Sequence, residues 1–281
     1  MEIARTARDA RALAAALPRP LGLVPTMGAL HRGHFRLVET ARAASASVAV
    51  SIFVNPLQFG PTEDFARYPR AFPTDVDALR AAGAALLFAP DVPDMYPPEF
   101  ATSVDPGPLG DVFEGALRPR HFRGVATVCT KLFAVVGAEH AYFGEKDAQQ
   151  VAVLKRVVAD LNLPVELRLV PTVRESDGLA LSSRNVYLSA QERAAAPGLY
   201  RALREVADAI RAGAAERGVL ERARRHIVAP LREAYLDVVD SNTFAPLVAL
   251  HAPALVIGSV YAGTTRLIDN IPVSAAAERA A

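Results

Sequence analysis

Cysteine is nearly absent from this 281-residue sequence, as are charge imbalance and long apolar runs. The single Cys129 excludes an internal disulfide framework and a cysteine-built zinc site. Lys plus Arg number 31 against 30 Asp plus Glu, so the net charge is +1. That excludes a strongly basic nucleic-acid binder and a chain with an acidic tail. No stretch reaches the roughly 20 apolar residues of a membrane span. Arg5, Arg8, Asp9 and Arg11 interrupt any apolar run of the kind a secretory leader needs. There are no internal repeats and no low-complexity segment beyond an alanine bias. The expectation is a soluble, cytoplasmic, globular protein with no nucleic-acid or membrane partner. Its hydrophobic content of 51% is enough for one large core or two smaller ones.

What is present centres on Leu21–Arg42, LGLVPTMGALHRGHFRLVETAR. Leu21, Leu23 and Val24 read as a buried strand that Pro25 stops. Gly28 and Gly33 free the backbone on either side of His31, and a helix with Val38 and Ala41 on its apolar face opens at His34. A strand feeding a helix through such a turn aims unpaired N–H groups and a positive dipole end at one point, which suits a phosphate.

Around it, strands and helices alternate. Thr6 caps a first helix that Pro18 and Pro20 end. Strands are expected at 47–54, 84–89, 141–143 and 165–170, with helices around Val76–Leu79, 124–136 and 147–161. Cys129 lies on the 124–136 helix as a small core residue. Two long proline-bearing stretches, 55–73 and 90–122, interrupt the pattern, the second with at most a short strand near Val104. Crossover helices between successive strands imply an α/β fold, a Rossmann-like parallel sheet with helices on both faces. Ligands of such sheets sit outside the carboxyl ends of the strands, where the loops after Val24, Val54 and Phe143 begin.

Beyond Thr172 the pattern changes. Ser176-Asp177-Gly178 is a turn, and Ser189 with Glu192 forms a capping box for a long helix through Ile210. A helical run over 220–234 precedes three short strands, 235–240, 254–261 and 265–271, which suit an antiparallel sheet. The domains are therefore expected as 1–172 and 173–281, the second a smaller α+β domain ending in a frayed tail at 275–281.

The candidate site residues each have a plain alternative. His31 and His34 could simply hydrogen-bond the turn, and no third ligand lies nearby to make a metal pair of them. Gln58 could be a solvated loop amide. Gly144-Glu145-Lys146-Asp147 could be an ordinary helix start, and Ser182-Ser183-Arg184 an ordinary turn. Together they are the parts that nucleotidyl transfer requires: imidazoles, one Lys, one Arg and hydroxyls to position phosphates and offset charge. No nucleophile–His–acid set is evident, and none is needed if a substrate carboxylate attacks.

The string PTMGALHRGH at 25–34 resembles the HxGH signature of nucleotidyltransferases and class I aminoacyl-tRNA synthetases. With SIFVNPLQFGPTED at 51–64, ARYPR at 66–70, RPRHFRGVATV at 118–128, YFGEKDAQQ at 142–150 and GLALSSRN at 178–185, the series is similar to the pantoate–β-alanine ligase family over about 20–190. The resemblance implies ATP-dependent condensation of (R)-pantoate with β-alanine, giving AMP and pyrophosphate through a pantoyl adenylate. ATP is then a co-substrate with Mg²⁺ as its companion, and the protein a homodimer. Domain 1–172 would bind ATP and pantoate, and 173–281 would act as a lid.

By the same resemblance Met27, Gly28, Ala29, Leu30, His31, Arg32, Gly33 and His34 line the ATP site, with His34 as proton donor. Gly144, Glu145, Lys146 and Asp147 contact the nucleotide, as do Val173, Leu181, Ser182, Ser183 and Arg184. His34, His31, Lys146 and Arg184 form the catalytic set. Gln58 holds pantoate and β-alanine, Gln150 holds pantoate, Asn55 and Arg123 border the pantoate pocket, and Asp75 is a candidate Mg²⁺ ligand. Ala148, where the family commonly has an aromatic, departs from the pattern. A related HxGH nucleotidyltransferase with another acceptor is the alternative.

Overall fold

A computed structural model describes residues 1–61 and 63–274. The tail expected at 275–281 lies outside the described residues. The chain divides into two compact units, Met1–Gly144 with Gln149–Pro171, and Glu145–Ala148 with the chain from Thr172 onward.

In the first unit the elements run β1 (Glu2–Ala4), α1 (Ala7–Ala15), β2 (Leu21–Thr26), α2 (Arg32–Ala44), β3 (Ser47–Ile52), α3 (Phe72–Ala81) and β4 (Leu86–Phe88). Two short helices follow, α4 (Val92–Met95) and α5 (Glu114–Leu117), then α6 (His121–Val136), β5 (His140–Gly144), α7 (Ala148–Asp160) and β6 (Glu166–Val170). The six strands form one parallel sheet in the order β1-β4-β3-β2-β5-β6. From β2 the chain winds outward through β3 and β4, then returns to β5 on the other side. The order therefore reverses between β2 and β5, the place where open parallel sheets take their ligands.

Side chains alternate between the faces, as a period of two demands. Leu23, Ala49, Leu86 and Phe88 pack with Val125 and Leu132 of α6 and with Ala10 and Ala14 of α1. Val24, Val50 and Leu87 pack with Leu37 and Val38 of α2 and Leu79 of α3. Helices thus cover both faces, as the α/β reading requires. Cys129 belongs to the first cluster, and burial pushes its thiol up to about 12.

Several boundaries differ from expectation. Pro25 does not stop β2, because pairing with β3 continues to Thr26 while pairing with β5 covers only Gly22 and Leu23. A residue without N–H is tolerated where one flank of the ladder has ended. Helix α2 begins at Arg32, two residues before His34. The third helix starts at Phe72, with Pro73 in its first turn, where a missing N–H costs nothing. No strand forms at Val104 among the described residues; its N–H instead donates to Thr127 Oγ1 on α6 (2.9 Å). Leu161 falls past the end of α7 and is exposed. Strand β1 has no counterpart in the sequence reading, because three residues carry too short a pattern to recognise.

The second unit comprises α8 (Ala190–Ala195), α9 (Pro197–Arg211), α10 (Gly218–Ala223), β7 (Leu231–Val239), β8 (Ala254–Ala262) and β9 (Thr265–Val273). The capping box of Ser189 and Glu192 forms as expected, but the long helix divides at Pro197. The helical run expected to reach residue 234 ends in a 3-10 turn, Arg224–His226, and the chain enters β7 at Leu231. The three strands pair antiparallel in the order β7-β8-β9. Leu199, Leu203, Val206 and Ile210 of α9 form the core with Val238, Val256 and Val260. Each such side chain contributes roughly 1.5–3 kcal/mol when fully buried.

Candidate active site

The turn after β2 is built by its own backbone donors. His31 is the N-cap of α2, and its Nδ1 accepts from the Gly33 N–H (3.1 Å). His34, at the third helical position, accepts the His31 N–H on its Nδ1 (3.3 Å), completing a reciprocal capping box. The rings lie 4.1 Å apart between centroids. A ring nitrogen that accepts a backbone N–H carries no proton, so each neutral imidazole holds its proton on Nε2. The two histidines are thereby made Nε2–H donors. Gly33 permits the arrangement: a Cβ there would lie 2.9 Å from His31 Cε1.

One carboxylate holds the other half of the turn. Asp75, buried on α3, accepts from the Ala29 N–H through Oδ2 (2.8 Å) and from the Leu30 N–H through Oδ1 (2.9 Å). Ala29 adopts a φ of 51° and Gly28 a φ of 82°. The left-handed conformation costs a non-glycine residue about 1–2 kcal/mol, less than two hydrogen bonds to a charged acceptor return, at about 1.5–3 kcal/mol each. Thr26 Oγ1 completes the entry, donating to Ser51 O and accepting from Gly28 N. Asp75 therefore grips the turn. With both oxygens on backbone amides, and no group of three His, Cys, Asp or Glu side chains assembled among the described residues, the residues present do not fit a protein-built Mg²⁺ site.

The loop after β3 carries Gln58 in a 3-10 turn, Pro56–Gln58, capped by Asn55. Gln58 is buried; its Oε1 accepts from Asn55 Nδ2 (3.1 Å), and its Nε2 points to Met27 Sδ in the histidine turn (3.1 Å). The Gln58 carbonyl accepts from Arg118 Nη2 (3.3 Å) and His121 Nδ1 (2.9 Å). Arg118 also donates through Nη1 to His121 Nε2 (3.0 Å), which fixes that ring as the Nδ1–H tautomer. Glu63 pairs with Arg118 through both oxygens. Gly124 of α6 lies under this loop, so close that a Cβ would sit 2.3 Å from the Leu57 carbonyl oxygen.

Asn55 and Arg123 each have partners within the protein. Both Asn55 N–H groups are donated, to Gln58 Oε1 and Gly124 O, and Oδ1 accepts from Leu57 N and the Tyr96 hydroxyl. Arg123 is exposed and donates to Ser103 Oγ (2.8 Å). On α7, Gln149 holds the preceding stretch through Glu114 N, Leu109 O and Val112 O. The half-buried Gln150 makes no side-chain hydrogen bond among the described residues, which leaves its amide available to a ligand.

Strand β5 ends at Gly144, and the Glu145–Asp147 turn that follows belongs to the second unit. Asn270 on β9 donates from one Nδ2 to both the Glu145 (2.8 Å) and the Lys146 (2.9 Å) carbonyls. Lys146 Nζ lies 3.4 Å from Asp147 Oδ1. In the same unit Val173 and Leu181 face each other across a narrow hairpin, with Leu181 N donating to Val173 O (3.0 Å). Arg174 anchors that hairpin through a bidentate pair with Asp269 (2.5 and 2.9 Å) and stacks on Tyr200. Burial raises the Asp269 carboxyl, and Arg174 works against that rise. The Ser182 hydroxyl accepts from the Arg184 N–H (3.3 Å) and caps the 3-10 turn that carries Ser183 and Arg184.

Sequence reading misses the supports: Tyr96, Arg118, His121, Gly124, Asp269 and Asn270. Each lies far along the chain from the segment it holds, and no local pattern marks any of them. The RPRHF string does contain Arg118 and His121, as letters without a role.

The family model described as pantoate-beta-alanine ligase matches residues 2–272. The pantothenate synthetase of Roseiflexus sp. (strain RS-1) is 51% identical over 278 residues, covering 98% of this chain and 100% of that one. That of Thermus thermophilus is 53% identical over 281 residues, covering 96% and 99%. A crystal structure of the Thermus thermophilus pantothenate synthetase is similar with a TM-score of 0.93 at 50% identity, over 98% of this chain and 100% of the other. The pantoate-beta-alanine ligase of Francisella tularensis, complexed with beta-gamma ATP and beta-alanine, gives 0.81 at 31% identity, over 97% of each.

Proposed function

Because the chain belongs to the pantoate–β-alanine ligase family, we propose that it condenses (R)-pantoate with β-alanine at the expense of ATP, releasing AMP and pyrophosphate. The observation that carries the reading is the paired-histidine turn at the sheet's switch point, with the Gln58 amide hydrogen-bonded into it.

In the first half-reaction a pantoate carboxylate oxygen attacks the α-phosphorus of ATP, the bond to the bridging oxygen breaks, and pyrophosphate leaves. The Nε2–H of His34 donates to the phosphate oxygens as charge builds there, with His31 beside it. Lys146, Ser182, Ser183 and Arg184 supply further donors to the phosphates; losing one such donor typically costs about 10²–10³ in rate. Met27 to Gly33 line the ATP site, Gly144 to Asp147 contact the nucleotide, and Val173 and Leu181 touch its adenine end. Gln58 and Gln150 hold pantoate; as neutral amides they orient the carboxylate without quenching its nucleophilicity. In the second half-reaction the β-alanine amine attacks the acyl carbon, and AMP departs with its electron pair. The role of the second unit, as a lid, is to keep water from the mixed anhydride.

Mg²⁺ travels with the ATP phosphates in this reading, not on Asp75. Asn55 acts behind Gln58, and Arg123 borders the acid pocket in the same reading. A cytoplasmic homodimer is part of the same reading, and sedimentation of the purified protein tests its oligomeric half.

Protein, Mg²⁺, ATP and pantoate without β-alanine should exchange labelled pyrophosphate into ATP, and adding β-alanine should release AMP. Formation of ADP and phosphate would overturn the adenylate route. Exchange that depends on another acid would assign a different acceptor.

A further inference from the structure

An amide is a poor discriminator until something fixes which of its ends faces the ligand. The Gln58 amide is fixed, and the fixing groups are backbone. The Leu57 N–H can only donate, so the atom of Asn55 that meets it is Oδ1 (3.2 Å); the Gly124 carbonyl can only accept, so the atom that meets it is Nδ2 (3.1 Å). Asn55 thus has one orientation. Its second N–H then requires an acceptor, which makes the facing Gln58 atom Oε1 and turns Nε2 the other way, toward Met27.

Tyr96 completes the chain. Its hydroxyl donates to the remaining lone pair of Asn55 Oδ1 (2.8 Å). Burial holds the phenol well above its ordinary range, with the Cys129 thiol adding to the effect, so the ring remains a donor throughout the working pH range. Phe53 and Phe100 pack against the ring, and Lys131 lies over it. No donor or acceptor of Asn55 is left over.

We propose that Tyr96 and Asn55 are positioning residues that set the polarity of Gln58, so that it offers the substrate an N–H and never a carbonyl. The group it selects is an anionic or lone-pair oxygen, as on the carboxylate of the acid. A hydroxyl that needs an acceptor meets the N–H end of this amide instead, because Oε1 is turned to Asn55. The inference rests on the ligase reading for the identity of the acid, but the polarity itself does not.

The test compares Gln58→Glu with Gln58→Ala in pantoate-dependent pyrophosphate exchange at pH 8. A carboxylate keeps the acceptor for Asn55 but presents oxygen to the substrate. If Gln58 donates, Gln58→Ala should raise the KM for pantoate about tenfold, and Gln58→Glu should raise it further, to about a hundredfold, with the KM for ATP little changed. A Glu variant that binds pantoate as well as or better than the Ala variant overturns the proposal. Tyr96→Phe should raise the pantoate KM about three- to tenfold at unchanged kcat and unchanged ATP KM; an unaltered pantoate KM removes Tyr96 from the chain. Polarity can also be read without any reaction, from side-chain amide resonances. Gln58 Nε2 protons should show contacts to the Met27 methyl, and contacts to the Asn55 amide instead would overturn the proposal whatever the activity. Wild-type protein that lacks pantoate-dependent exchange but shows the Met27 contacts would refute the ligase reading and leave the polarity standing.

Discussion

The histidine turn after β2 and the glutamine loop after β3 lie at the same edge of one sheet, yet they are held in opposite ways. The turn is mostly self-supporting: its imidazoles cap the helix that carries them, and one carboxylate from α3 takes two of its amides. The loop makes a short capped 3-10 turn of its own, but much of what holds it comes from elsewhere. Its shape comes from Tyr96, Arg118, His121 and the bare backbone at Gly124, 38 to 66 residues further on. Charge stabilisation of a phosphate calls for donors that a helix terminus supplies locally. Recognition of a small acid calls for a single amide in a single orientation, and that needs walls from elsewhere.

The sharpest way to break the comparison is to separate cap from chemistry at His34. In His34→Asn the new Oδ1 stands where Nδ1 stood and can still accept the His31 N–H, but the Nε2–H is gone. Turnover should fall by about 10³–10⁴ with the melting temperature unchanged. His34→Gln, which restores a donor at the far end, should recover part of it. Next comes Gly124→Ala, which should raise the pantoate KM by about a hundredfold while sparing that for ATP. In an ordinary helix interior the same change gains about 1 kcal/mol; here chemical denaturation should instead show a loss of about 1–3 kcal/mol, because the methyl group meets the Leu57 carbonyl. Asp75→Ala should do the converse, raising the ATP KM about tenfold and leaving pantoate alone, with about 2–4 kcal/mol of stability lost.

The smallest effect lies outside both elements and serves as a baseline. Asp177 is held below its ordinary range chiefly by the Arg193 hydrogen bond, and Asp240 chiefly by the Thr243 N–H. A carboxyl whose folded pKa is depressed contributes stability above its unfolded pKa and loses it as pH falls through the folded value. The contribution of these two groups should therefore be level above about pH 4 and decline below it. Since both groups are largely exposed, Asp177→Asn should flatten that decline by only a few tenths of a kcal/mol.

The same contrast explains what can be read in the letters. His31, Gly33 and His34 sit within four positions, so the cap, the helix start and the donor cluster show as one local pattern, even though the helix begins earlier than its apolar stripe suggests. Alternating strands and helices announce the parallel sheet because each element carries its own period. Asn55 is legible as a polar residue beside Gln58 but not as a saturated one, since two of the groups that saturate it, the Tyr96 phenol and the Gly124 carbonyl, are brought in by folding. Asp75 looks like a metal ligand for the same reason: a carboxylate near a phosphate site reads as a cation holder until its partners are seen to be amides. Pro197 is visible in the sequence, but the strong apolar stripe through Ile210 masks the break it makes.

The reciprocal cap of His31 and His34 has one further consequence. Both rings accept through Nδ1, and a ring that takes a second proton carries it there and can no longer accept. Acid therefore reaches the donors and the first turn of α2 together: protonating either ring releases a backbone amide and charges the donor in the same step. Loss of activity at low pH and faster hydrogen exchange at the His31 and Gly33 amides should rise along a single curve. The turn behaves as a fuse, failing in its scaffold at the moment its chemistry is wrong.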